Sequence, residues 1–458
     1  MNLSPEDALK SLSRRRFLAG LAGATAGGWI FGPGLAAATE VSTGPAGGGL
    51  LAGTAKVEIT PKGNTVDLSN RPLRADEPLF ARVLVLREGG LTVAIVSLDL
   101  IVFASAKVVE EARKRFGVDH VVLACTHTHA APAPEGLRIR PPLGDWTRIP
   151  RDPGKVIDWP GLSSDPWYAE TEERILQAIG EGVGNLFPAR LACGQAPFES
   201  AYMAHNRRKV NENGKVAMMW DNPTRLPTEP VDPTVGFIRV DDDSGKPRAF
   251  LVHYACHPVS TMGGGRVARD FPGAMVDEIE RELGPDCMAM MLQGASGDID
   301  PYDMKLRGEH EKNVTRNSGI SLARGALRAA KGVTAADDTR LRARENLLNL
   351  PNREGDETTD VLVTTILLND QTALVAIPGE PFTAHQLDLR QRAGLAHPFV
   401  LGLAYSGRGT PFTIYLPTEQ AVREGGYGAK ECTFLIPSAG SQMIDTAVAA
   451  IAEMKAGR

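Results

Sequence analysis

Four apolar, strand-length runs in this chain each end in a polar cluster rich in Gly or Pro, and that recurrence restricts the fold more than any other feature. Residues 121–125 run into Thr126-His127-Thr128-His129, and residues 250–256 into His257-Pro258. Residues 288–292 run into Gln293-Gly294-Ala295-Ser296-Gly297-Asp298, and residues 373–377 into Pro378-Gly379-Glu380. A short continuous apolar run bounded by turn residues suits a buried strand. Helical spacing marks residues 105–116, 166–186, 273–283 and 439–454 between and after these runs. Gly89-Gly90 and Asn369-Asp370-Gln371 each separate two apolar runs and predict hairpins. The alternation predicts an α/β fold, a layered mixed β-sheet domain with flanking helices. No period of 20–50 residues recurs, which argues against a solenoid or propeller. In open α/β sheets ligands gather beyond the carboxyl ends of strands, so the strand ends bearing His, His, Asp and Glu are expected to converge.

The residue types at those ends fit a metal. An H-x-H pair closing a strand is expected to place His127 and His129 on one face, because side chains alternate with period two. Neutral imidazole is a common zinc ligand, although a loop histidine pair can also serve only as hydrogen-bonding groups. His257 precedes Pro258, which biases it to extended geometry. Taken alone, it reads first as a core histidine bonded to backbone and only second as a ligand. Glu380 follows Gly379 at the end of an apolar run, where an unpaired carboxylate is costly to bury and a metal or an arginine would offset the cost. His, His and Glu together match the ligand set of several catalytic zinc sites. Gly263-Gly264-Gly265 lacks the Lys-Ser/Thr of a phosphate loop and reads as a turn.

Six further blocks carry a family resemblance. They are Ala52-Gly53-Thr54-Ala55-Lys56-Val57-Glu58-Ile59-Thr60-Pro61, Leu79-Phe80-Ala81-Arg82, Ser97-Leu98-Asp99, residues 124–129, His253-Tyr254-Ala255-Cys256-His257-Pro258-Val259-Ser260 and Ile377-Pro378-Gly379-Glu380. In that order they resemble the neutral/alkaline, non-lysosomal ceramidase family, over residues 51 to the C-terminal helix. The resemblance implies a zinc-dependent hydrolase of the amide of N-acylsphingosine, with Zn2+ held by His127, His257, Glu380 and a tyrosine matched best by Tyr415 of Tyr415-Leu416-Pro417-Thr418-Glu419. It places His129 near the substrate or in the outer shell of the metal. It makes Asn206-Arg207 the pair that binds and polarises the scissile carbonyl, although Arg207 beside Arg208 and Lys209 also reads as a surface arginine. One departure stands out. Where the family has a catalytic serine before proline, this chain has Asp300 in Gly297-Asp298-Ile299-Asp300-Pro301. A carboxylate cannot donate as a hydroxyl does at neutral pH, so Asp300 reads as a general base, a second cation ligand or an inactivating change. The chain ends soon after the tyrosine region, so the family's catalytic domain is expected without its C-terminal sandwich domain. Three functions stay open: an amidohydrolase with a small-molecule or lipid-like acyl substrate, a zinc hydrolase of another acyl or ester bond, and a catalytically silent, metal-stabilised exported binding protein.

The N-terminus reads as an export signal. Ser13-Arg14-Arg15-Arg16-Phe17-Leu18 opens an apolar stretch to residue 38 that ends in Ala36-Ala37-Ala38, the layout of a twin-arginine signal peptide. A membrane anchor is the rival reading, but six glycines and Pro33 in that stretch weaken a spanning helix. The expected organisation is a signal over residues 1–38, a linker over 39–50 and one hydrolase domain over 51–458. The expected location is periplasmic or secreted, with the twin-arginine export machinery as a partner and no stable transmembrane segment expected in the mature form. Lys10, Arg14, Arg15 and Arg16 against Glu6 and Asp7 leave the signal net positive by two, so removing it takes the net charge from −5 to −7. With no long basic stripe in the body, nucleic acid is excluded as a partner on electrostatic grounds. The five cysteines are scattered without a CxxC, and most read as buried small apolar residues.

Overall fold

The chain is described by a computed structural model covering residues 42–43, 49–62, 65–67, 72–133, 166–198, 203–304, 308–430 and 432–457. The expected signal segment and most of the expected linker lie outside the described residues. In chain order the principal elements are Leu51–Glu58 (β1), Phe80–Glu88 (β2), Leu91–Leu98 (β3), Ala106–Phe116 (α1), His120–Cys125 (β4), Pro166–Gly184 (α2) and Phe187–Pro197 (β5). Thr234–Asp242 (β6), Pro247–Tyr254 (β7), Asp270–Leu283 (α3), Met288–Gln293 (β8) and Gly308–Ala330 (α4) follow. The last third holds Arg342–Pro351 (β9), Thr358–Leu367 (β10), Thr372–Ala376 (β11), Thr383–Arg392 (α5), His397–Leu401 (β12), Ala404–Tyr405 (β13) and Ala439–Lys455 (α6).

Nine strands form one mixed sheet in the order β8-β7-β6-β5-β1-β2-β3-β4-β13. Its β3/β4 and β7/β8 pairs are parallel. A second sheet carries β9-β10-β11-β12, with Ser42–Thr43 at one edge, and its β11/β12 pair is parallel. Side-chain alternation shows how the sheets are covered. In β2, Val83 and Val85 pack with Val108 and Ala112 of α1 and Ile175 and Ile179 of α2. Leu84 and Leu86 turn the other way and meet Leu191, Ile366, Leu374 and Phe399, so the two sheets face each other across a shared core. Phe250 and Val252 of β7 pack with Met275 and Ile279 of α3 and Leu322 and Ala326 of α4. The outer face of the second sheet, through Val363, Val375 and Val400, packs on Leu389 of α5 and on Met443, Ala447 and Ile451 of α6. The result is four layers, helix-sheet-sheet-helix, with each fully buried aliphatic side chain contributing about 1.5–3 kcal/mol.

Both expected hairpins form, around Gly89-Gly90 between β2 and β3 and around residues 369–371 between β10 and β11. All five cysteines are free; four are buried and Cys193 is partly so. The three-glycine segment is a turn with Gly263 and Gly265 at positive φ. Among the described residues no helix is long and apolar enough to cross a membrane.

Candidate metal centre

The chain brings His127, His129, His257 and Glu380 together beyond the carboxyl ends of β4 and β7 in the large sheet and β11 in the small one. The arrangement is the one expected of ligands at strand ends. His127 lies two residues past the end of β4. Its φ of 68° puts a non-glycine residue in the left-handed region, a strained backbone held by its own bonds. Its amide donates to Leu100 O at 2.9 Å and its Nδ1 lies 2.7 Å from Ile101 O. His127 and His129 are therefore not adjacent same-face residues of a strand, as the spacing suggested. The strand stops at Cys125, and a bend brings the two rings edge to face with centroids 4.6 Å apart. His129 is anchored by its amide, which donates to Pro258 O at 3.1 Å. That bond ties it to the His257 segment.

His257 is fixed from the other end of the sheet. Its amide donates to Ile299 O at 2.9 Å, and its Nδ1 lies 3.1 Å from the same oxygen. Glu380 enters from the small sheet. Its amide donates to Ile414 O at 2.8 Å, and Glu380–Pro381 runs parallel to Tyr415–Leu416 with Glu380 opposite Tyr415. Gly379 is required there, because a Cβ would stand 1.9 Å from Thr413 Oγ1.

Oε2 of Glu380 lies 3.1 Å from Nε2 of His257 and 3.5 Å from Nε2 of His127. Nε2 of His129 lies 3.2 Å from Nε2 of His127. One ligand atom of each of His127, His129 and His257 lies within 4.8 Å of the others, so the three could hold a metal ion. The donor chemistry fits. With Nδ1 of both His127 and His257 turned to a carbonyl, the Nδ1 hydrogens are taken up there and the Nε2 lone pairs face inward. Two nitrogen lone pairs and a carboxylate oxygen at these separations repel unless a proton or a metal cation stands among them. Burial would raise the Glu380 carboxyl, but the charges and hydrogen bonds of His127 and His257 outweigh it and hold the group well below the usual carboxylate range. Burial, reinforced by His127 and His257, holds His129 well below the ordinary imidazole value and therefore neutral.

The remaining expected residues form a second group against the first. Arg207 follows the short strand Ala204–Asn206, which pairs with Ile299–Pro301 and sets His205 opposite Asp300. Its guanidinium is buried. Nη1 donates to Asp300 Oδ1 at 3.0 Å and Nη2 to Gly297 O at 2.6 Å. Its carbon lies 5.4, 5.3 and 5.2 Å from the ring centroids of Trp220, Tyr415 and Tyr427, an aromatic cage with cation–π character. Burial would lower Arg207, but Asp300 and the two tyrosines hold it above its ordinary value. Burial and the charge of Glu380 push the Tyr415 hydroxyl up, against the opposing charge and hydrogen bond of Arg207.

Asp300 Oδ1 also lies 3.7 Å from His257 Nδ1, so Asp300 meets that ring on its Nδ1 side while Glu380 meets it at Nε2. Asn206 is committed to structure. Its Nδ2 donates to Asp298 Oδ2 at 2.7 Å and Pro230 O at 2.9 Å, and its Oδ1 accepts from the Arg208 amide at 2.9 Å. Trp220 and Tyr427 were not anticipated. Trp220 closes the short apolar run 216–220 and Tyr427 lies among glycines, and neither setting carries a binding or catalytic pattern.

No protein-family model matches the chain, and no curated protein does. Solved structures do. The crystal structure of neutral ceramidase from Pseudomonas aeruginosa matches with TM-score 0.68 and 14% identity over 89% of this chain and 74% of that one. A ceramidase complexed with C2 matches with TM-score 0.69 and 14% identity over 89% and 75%. At this identity the likeness establishes the fold, and the helix-sheet-sheet-helix arrangement of this chain is that of the neutral ceramidase structures.

Proposed function

We propose that this chain is an exported, zinc-dependent hydrolase that cleaves the amide bond of an N-acyl, lipid-like substrate. The observation that carries the proposal is the convergence of His127 Nε2 and His257 Nε2 on Glu380 Oε2, with both Nδ1 atoms turned to backbone carbonyls. The fold shared with neutral ceramidase supports the choice of an amide. In this reading His127, His257, Glu380 and Tyr415 hold the metal. Zinc bound there would supply the Lewis acidity that polarises a carbonyl and activates water.

The chain's own residues do the rest. Arg207, rigid in its aromatic cage, presents positive charge to the carbonyl oxygen as negative charge develops on it. His129, partly exposed and with its Nε2 3.2 Å from that of His127, is placed to relay a proton from water to the leaving nitrogen. Asp300 holds Arg207 through the Oδ1–Nη1 bond.

Metal analysis of purified protein with and without His257→Ala tests the site. Zinc at one equivalent in the parent and its loss in the variant are expected; full zinc content and full activity in His257→Ala would remove the assignment. Hydrolysis of N-acyl sphingoid lipids against acyl esters and sugar-linked acyl groups tests the bond cleaved. Export is tested by fractionating cells that carry Arg14→Lys/Arg15→Lys, which should keep the protein in the cytoplasm.

A further inference from the structure

The turn between β8 and Ile299–Pro301 reaches the His257, Glu380 and Arg207 segments of the centre. Ile299 O receives both the amide and Nδ1 of His257. Gly297 N donates to Pro381 O at 2.9 Å, and Gly297 O accepts from Arg207 Nη2 at 2.6 Å. A Cβ on Gly297 would stand 2.4 Å from Glu380 O, so the approach of this turn to the Glu380 backbone requires glycine.

Asp298 sits in the middle, 3% exposed. Its backbone carbonyl accepts from the Arg207 amide at 2.9 Å and its Oδ2 from Asn206 Nδ2 at 2.7 Å. Its Oδ1 accepts from the amide of Thr383 at 2.8 Å. Thr383 is the first residue of α5, three residues beyond Glu380. We propose that Asp298 is a positioning residue that sets the Arg207 segment in register with the Glu380 segment, so that one buried carboxylate aligns the guanidinium with the metal donors.

The chemistry of the side chain favours this role. An ionised carboxylate accepts at both oxygens, and here each oxygen faces a donor from a different segment. An amide in its place has one acceptor and one NH2, so either the Thr383 amide or Asn206 Nδ2 would meet another donor. The site at the start of α5 adds attraction between the carboxylate and the helix N-terminus. The inference rests on the proposed reading of Glu380 as a metal ligand.

The test is cobalt(II) titration of the full chain, followed by visible absorption, with far-ultraviolet circular dichroism on the same samples. Asp298→Asn should weaken cobalt binding about 10- to 100-fold and shift its visible band, with the dichroism unchanged. Thr383→Pro removes the same bond from the other side. Proline is tolerated at the first helical position, and Phe382 at φ −66° and ψ 147° already has the extended geometry that a residue before proline adopts. The double variant should bind no more than about threefold more weakly than the weaker single one, because both changes remove one interaction. If Asp298→Asn does not fold, Thr383→Pro carries the test alone and should bind cobalt at least about tenfold more weakly than the parent. Parent protein that takes up no cobalt removes the metal reading on which the inference rests. Parent protein that binds cobalt, with unchanged affinity and spectrum in Asp298→Asn or Thr383→Pro, overturns the inference alone.

Discussion

Asp300 Oδ1 lies 3.0 Å from Arg207 Nη1, and both side chains are sealed from solvent, at 0% and 4% exposure. The Asp300 carboxylate is thus the counter-charge of the buried arginine. In an enclosed site such a pair is costly to assemble and costlier to halve, because removing one partner strands the other charge.

Asp300→Ser should therefore destabilise the protein by about 3–5 kcal/mol, the usual cost of breaking a buried pair. The double change Arg207→Met/Asp300→Leu should cost less than Asp300→Ser alone. Urea unfolding of the three proteins measures both. An Asp300→Ser protein as stable as the parent would show that the guanidinium does not depend on this carboxylate.

Glu380→Gln keeps the shape of the side chain and removes its charge. The amide cannot offer an anionic oxygen to the Nε2 pair of His127 and His257, and its NH2 can hydrogen-bond to one of them instead. Metal retained after dialysis, measured by elemental analysis, should fall by at least about 100-fold in affinity, beyond the 10- to 100-fold typical of losing a group outside the ligands. Retention equal to the parent would place the metal elsewhere.

Arg82 and Asp99 prop the other side of the centre. Asp99 Oδ2 accepts from Arg82 Nη1 at 2.7 Å and from the Phe80 amide at 3.0 Å, with the two side chains 1% and 3% exposed. Leu100 and Ile101, next in the chain, supply the carbonyls that hold the His127 amide and Nδ1. Arg82→Met should cost about 3–5 kcal/mol in stability. It should also weaken metal binding through the displaced carbonyls. Thermal melts and cobalt titration read the two effects separately, and a loss of stability with unchanged cobalt affinity would leave only the structural role.

The legible part of this molecule was whatever the sequence encodes locally. Apolar runs with breakers at their ends predicted β4, β7, β8 and β11, and the polar residues at those ends converge on one centre, as the strand-end rule implied. Helical spacing predicted α1, α2, most of α3 and α6, and Ser105 caps α1 by accepting from the Val108 amide at 3.1 Å. The strands β5, β6 and β9 were not singled out. Each mixes charged or small residues with apolar ones, as in Arg190, Gly194, Arg239 and Glu345, so no continuous apolar run marks them, although β6 pairs with the next strand, β7, and β9 with the next strand, β10. α4 was missed because its polar and glycine-containing run 308–319 masks the apolar spacing that follows. The cage of Trp220 and Tyr427 around Arg207, and the bonds of Asp298 to Asn206 and Thr383, depend on contacts between segments far apart in the chain. No local period records such contacts.

A last consequence concerns acid. His253 lies within β7, its Nε2 2.8 Å from Val400 O, and burial pulls its pKa down from 6.5 to about 4 despite that bond. The native ring is then neutral at pH 5 while the unfolded chain, with an ordinary histidine, holds a proton. The unfolded state binds more protons between about pH 6.5 and 4, so this residue withdraws stability as pH falls through that window and has no effect well above it. The slope for one such group is at most about 1.4 kcal/mol per pH unit, or about 2 kcal/mol between pH 6.5 and 5. His253→Gln keeps a donor for Val400 O without a group that titrates. Urea unfolding at pH 7.5 and pH 5 should show a smaller acid loss in the variant than in the parent, by up to that 2 kcal/mol. Equal losses in the two proteins would mean that His253 is protonated in the native state at pH 5, which its burial between the sheets opposes.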